Sequence, residues 1–159
     1  MSLDEVSDRE VEEAANGFSN RCFGHNFRSI DRLITRYYSR CIEGSEIVST
    51  QFSMMMLILS MKVPMRNIDL ASLFNVDKTT VTRNLSILLN RKLVLDSEEG
   101  KLSISPEGMQ ALKKALPLWK EAQGKVYEIV KSADAIRDYG LRLAFMVEAL
   151  NKLMKKPQP

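Results

Sequence analysis

The stretch that decides the fold is Phe74 to Val94, FNVDKTTVTRNLSILLNRKLV. Val81, Leu85, Leu88 and Leu89 recur at three and four, the spacing of one helix face. Lys78, Thr79, Thr80, Thr82, Arg83 and Ser86 fill the opposite face. Threonine and asparagine are poor helix formers, so a helix starting at KTTVTRN needs help at its first turn. Asp77 has the chemistry to supply it, since its carboxylate accepts the amide hydrogens of Thr79 or Thr80 and suits the positive helix end. Val76 and Val81 are spaced to close a hydrophobic staple. Asn75 tolerates the left-handed conformation of a sharp turn.

Working outward, IDLASLF before this turn carries Ile68, Leu70, Ala71, Leu73 and Phe74 at helical spacing, after a break at Pro64. Two helices joined by FNVD make a helix-turn-helix. The segments LVLDS and KLSIS follow, separated by Glu98, Glu99 and Gly100. Leu93 and Leu95 alternate with Val94, and Leu102 and Ile104 with Ser103, so a small β-hairpin, a wing, is predicted. A helix with short hydroxyl side chains fits the DNA major groove closely. Lys78 and the amides of Thr79 and Thr80 suit phosphate or base contacts, and Arg83 reaches a guanine edge or a phosphate. Lys101 is the cation of an otherwise acidic wing tip. Arg91 and Lys92 fit either a phosphate or the carbonyl end of their own helix.

The rest of the chain reads as helices. Phe27, Ile30, Leu33, Ile34, Tyr37, Tyr38 and Cys41 mark a long amphipathic helix over Asn26 to Cys41, preceded by an acidic helix or arm from Leu3 to Ala15. Ser49 or Thr50 caps an almost wholly apolar helix through Met61. Ser105 with Pro106 opens a helix to about Val130, bent at Pro117, and Ser132 or Asp134 opens a last helix to Lys155. The fold expected is mainly α with a small β-hairpin wing. Its regions are 1–46, an N-terminal arm and first dimerisation helix; 47–105, the winged helix-turn-helix; and 106–159, C-terminal dimerisation helices. Leu141, Leu143, Phe145, Met146, Val147, Ala149, Leu150 and Leu153 exceed what so small a core covers and suggest a surface shared with a second copy.

Charge is divided unevenly. Six acidic residues and Arg9 give the first twenty residues a net charge of −5, so the remainder carries +8 within a total of +3. A basic body suits a polyanion such as double-stranded DNA. Two cysteines, Cys22 and Cys41, without a secretory signal, point to the cytoplasm, and no apolar run is long enough to span a bilayer. Cys22, His25 and Cys41 fall short of the four ligands of a structural zinc site, so no metal or cofactor is expected. Cys22 and His25, with Met55 and Met56, are candidates for a sensor or for a pocket holding a small apolar or aromatic effector, because methionine adapts to irregular apolar shapes. No GxGxxG or P-loop occurs and the single His lacks a nearby nucleophile, which argues against an enzyme. Two other readings stand beside a DNA-binding regulator: a winged-helix scaffold without DNA binding, and a cysteine-based redox regulator.

STQFSMMMLILS, IDLASLFNVDKTTVTRNLSILLNRKLV, LSISPEG and ALPLWKEAQ together resemble the MarR family of winged-helix transcriptional regulators, over roughly Asn26 to Val130. The resemblance implies a homodimer with interlocked terminal helices, two recognition helices on a palindromic operator, and release of DNA on binding an effector. Wings in that family are commonly longer and carry an Asp-x-Arg motif. Here the tip is only DSEEGK, which shifts the expected burden of DNA binding to Arg83, Lys78 and the threonines.

Overall fold

The computed structural model describes residues 6–61, 65–66, 69–70 and 78–155. Their elements run α1 (Asp8–Ala15), α2 (Phe18–Arg21), α3 (Phe23–Cys41), α4 (Ser49–Ser60), β1 (Met65–Arg66), α5 (Lys78–Asn90), β2 (Val94–Asp96), β3 (Lys101–Ile104), α6 (Pro106–Ala133) and α7 (Tyr139–Lys155). Asp69 and Leu70 are also helical. The expected turn residues Asn75, Val76 and Asp77, and most of the IDLASLF helix, lie outside the described residues. The mainly α architecture with a wing is the one expected. Two compact units form, one from residues 1–34 and 124–159, the other from residues 35–123.

In the second unit α4 packs against α5 and β3. The buried core takes Ile42 and Ile47 from the loop before α4, and Phe52, Met54, Met55 and Ile58 from α4 itself. Val81, Leu85 and Leu88 enter from α5, Val94 and Leu102 from the wing, and Ala111, Leu112 and Ala115 from α6. The sheet has three antiparallel strands in the order β1-β3-β2, one more than the expected hairpin. Met65 pairs with Leu102 and Arg66 with Lys101, while Val94 pairs with Ile104 and Asp96 with Leu102. The side alternation of β2 differs from the sequence reading. Val94 is buried, whereas Leu95 is 47% exposed. Leu93 is buried too, but it lies in the connection between α5 and the strand.

Four element ends differ from the sequence reading. The first long helix begins at Phe23, not Asn26. Ser49 is the first residue of α4 and not its cap: its amide donates to Ser39 Oγ on the preceding helix at 3.3 Å, and the Val48 amide to Gln51 Oε1 at 3.2 Å. Beyond Val130, α6 continues to Ala133. Asp138, rather than Ser132 or Asp134, caps α7, accepting the Leu141 amide at 2.9 Å. Ser132 Oγ is committed to the Glu128 carbonyl within its own helix, and Asp134 pairs with Arg142.

The SPEG segment has a compact physical logic. Ser105 Oγ accepts the Gly108 amide at 2.9 Å and donates to the Leu93 carbonyl at 3.2 Å, which also accepts the Ser105 amide at 3.2 Å. Pro106 takes the first helical position, where no donor is needed. Glycine at 108 is a matter of space: a Cβ there would stand 2.0 Å from the Leu93 oxygen. Wing and α6 therefore meet backbone to backbone.

Two stability effects follow. Gly108→Ala forces these backbones apart and should cost roughly 2 to 4 kcal/mol, measured by chemical denaturation. Asp138→Ala removes only a helix cap and should cost about 1 kcal/mol in the same assay.

Candidate nucleic-acid interface

The orientation of α5 comes from its buried stripe. Val81 and Leu85 are 2% exposed and Leu88 is fully buried, so the helix has one rotational setting against α4 and the core. Lys78, Thr79, Thr80, Thr82, Arg83 and Ser86 are all exposed in consequence. Thr79, Thr82, Arg83 and Ser86 recur at three and four along the outward side. Asn90, also exposed, continues this row, and the sequence reading did not include it. Asn84 sits at the edge of the buried face, its amide donating to the Thr80 carbonyl at 3.0 Å while Thr50 Oγ1 approaches its oxygen at 3.5 Å. Ser86 Oγ donates to the Arg83 carbonyl at 2.9 Å, leaving the hydroxyl oxygen as an outward acceptor.

The wing offers little positive charge. Its tip is a tight turn in which the Gly100 amide donates to the Ser97 carbonyl at 2.8 Å, with Gly100 at φ +71°. Lys101 forms an ion pair with Glu99 across this turn. The pair is exposed and contributes little stability, yet it places a carboxylate beside the wing's cation. Arg91 is also engaged, its guanidinium donating to the Glu46 carbonyl at 2.6 Å.

The candidate sensor residues do not form one cluster. Met55 is fully buried in the core and Met56 packs partly buried against it. Cys22 and His25 belong to the other unit, where Cys22 follows α2 and the His25 ring lies 5.9 Å from that of Phe18. Among the described residues, no three His, Cys, Asp or Glu side chains gather as a metal site would require. No helix among them is long and apolar enough to cross a membrane. A group that the sequence reading missed is aromatic: the Trp119 ring lies 5.5 Å from that of Phe52 and 6.4 Å from that of Tyr38, and Tyr38 Oη donates to Gln123 Oε1. Burial, and secondarily the Cys41 thiol, raises the Tyr38 phenol above its ordinary pKa, so it stays a donor at neutral pH. Helical spacing hid this group, because each of its members also reads as plain core.

No family model and no curated protein matches the chain. Solved structures do. The M. tuberculosis transcriptional regulator MosR in complex with DNA is 28% identical, with a TM-score of 0.62 over 83% of this chain and 99% of that one. The transcriptional repressor CouR bound to p-coumaroyl-CoA is 15% identical, with a TM-score of 0.62 over 96% and 100%. The reduced form of MarR from E. coli is 17% identical, with a TM-score of 0.57 over 86% and 93%. CouR and MarR share the fold, and MosR shares sequence with it as well. With the wing and the outward face of α5, that likeness gives this chain the winged-helix fold that these transcriptional regulators share.

Proposed function

We propose that the chain is a sequence-specific DNA-binding regulator, a repressor that binds a palindromic operator as a homodimer in the cytoplasm and responds to a small effector, with no catalytic role. The observation that carries this reading is the outward face of α5. Threonine and serine hydroxyls bring a helix backbone close to base edges, and Arg83 at mid-helix has the reach for a bidentate contact to guanine. Lys78 stands at the N-terminal turn, where the helix end itself favours phosphate. The DNA complex of MosR supports the same use of the fold.

Dimerisation draws support from unit one, where Phe18, Phe23, Phe27, Tyr127 and Leu141 are all more than half exposed. Apolar side chains exposed in such number mark an interaction surface. An effector role draws on the Tyr38–Phe52–Trp119 group, whose mixed aromatic and hydrogen-bonding character suits a planar ligand, and on the ligand complex of CouR. The scaffold reading rests on Glu98 and Glu99, which repel phosphates at the wing tip. Selection of bound sequences from random duplex DNA separates the two: a regulator enriches a palindrome, and a folded dimer that enriches none is a scaffold.

On the selected duplex, Arg83→Ala should weaken binding by about 1 to 3 kcal/mol and relax preference at one base pair of each half-site. Lys101→Ala should change affinity by less than about 0.5 kcal/mol, because Glu99 already balances its charge. Both are read from titrations at fixed salt. Equal losses in the two variants would shift the burden back to the wing.

A further inference from the structure

The far end of α5 is held by an arrangement that its DNA-facing role does not use. The helix closes after Asn90 with Lys92 in the left-handed region, at φ +56°. The Lys92 amide donates to the Leu89 carbonyl and the Leu93 amide to the Leu88 carbonyl, both at 2.9 Å. This is a Schellman ending with lysine where glycine is usual. Next to it, Arg91 sends its guanidinium sideways to the main-chain oxygen of Glu46 at 2.6 Å.

That oxygen is a fixed point. Glu46 is left-handed at φ +72°, an uncommon state for a residue with a side chain. Its neighbours Ser45 and Ile47 are buried, and Ser45 Oγ donates to the Ile42 carbonyl at 2.6 Å. The Glu46 carboxylate accepts Lys114 Nζ of α6 at 2.9 Å. Lys114, and secondarily Arg91, hold the carboxyl below its ordinary pKa. The loop between α3 and α4 therefore meets the end of α5 through Arg91 and meets α6 through Lys114, with a single residue at the centre.

We propose that Arg91 and Glu46 form a strut that sets the angle of α5, so that Arg91 is a positioning residue for sequence discrimination and not a phosphate contact. The chemistry favours this. A guanidinium gains direction from a carbonyl held in a rigid turn, and tilting a recognition helix by even a small angle displaces its base contacts before it alters the protein's charge. The inference rests on α5 being the DNA-facing helix.

The strut and a phosphate clamp predict different measurements. For the intact protein titrated with its selected palindrome and with a scrambled duplex, Arg91→Met should lower the ratio of the two affinities roughly fivefold. The slope of log affinity against log salt should stay unchanged. A phosphate contact would weaken both duplexes alike and flatten the slope by about 1, and that result overturns the proposal. Glu46→Val, which resists a positive φ and so displaces the carbonyl without touching Arg91, should reproduce the loss. Glu46→Gly, which accepts that φ and keeps the carbonyl, should retain discrimination. Amide exchange at residues 88–93 reads the strut without DNA: it should accelerate in Arg91→Met and not in Glu46→Gly, and equal protection in all three proteins also overturns the proposal. A wild type with no sequence preference would instead refute the DNA reading, while exchange still judges the strut.

Discussion

The burial of Val81, Leu85 and Leu88 is the constraint from which the outward geometry of α5 derives. Three side chains on one stripe leave a helix no freedom to roll, since a roll of one position would expose a leucine and bury a threonine hydroxyl or a lysine. The threonines gain nothing by being helical, and their intrinsic preference runs against it. They are helical because the apolar stripe between them is held in the core, and they are outward for the same reason. An outward side chain is thus specified by the buried side chains on the opposite face.

The Leu93 carbonyl carries this constraint onward. Accepting both donors of Ser105 and standing against Gly108, it joins the end of α5, the first strand of the hairpin and the start of α6 at one backbone atom. The SPEG motif is therefore a junction more than a turn: serine for capping, proline for the first helical position, glycine for close approach. Where the joint is backbone to backbone, no side chain can be exchanged to ease it. The other side of α5 is joined less directly, through the guanidinium of Arg91 to the loop at Glu46.

The wing tip brings opposite charges together. Lys101 and Glu99 lie across one tight turn, and their pairing is of small energetic weight in water. Near a phosphate backbone the same carboxylate matters more, since it opposes the approach that the lysine would favour. A short acidic wing thus accompanies a polar helix face whose cations are Lys78 and Arg83. The aromatic group of Tyr38, Phe52 and Trp119 lies in the same unit as this helix.

Local spacing marked the long helices among the described residues, the apolar stripe of α5, its outward polar face and the existence of a wing. Ser105 and Pro106 were legible as a helix start in the same way. Tertiary structure decided what local spacing cannot encode. It supplied the first turn of α4 with Ser39 from another helix, added β1 to the wing, buried Val94 in place of Leu95, and engaged Arg91 with Glu46 and Lys101 with Glu99. It also gathered three aromatic residues far apart in sequence and separated Cys22 and His25 from Met55 and Met56 into different units. The physical reason is common to all of these. A residue's own preference sets its local conformation, but the partner of a hydrogen bond, an ion pair or a ring is whatever group the folded core brings within a few ångströms.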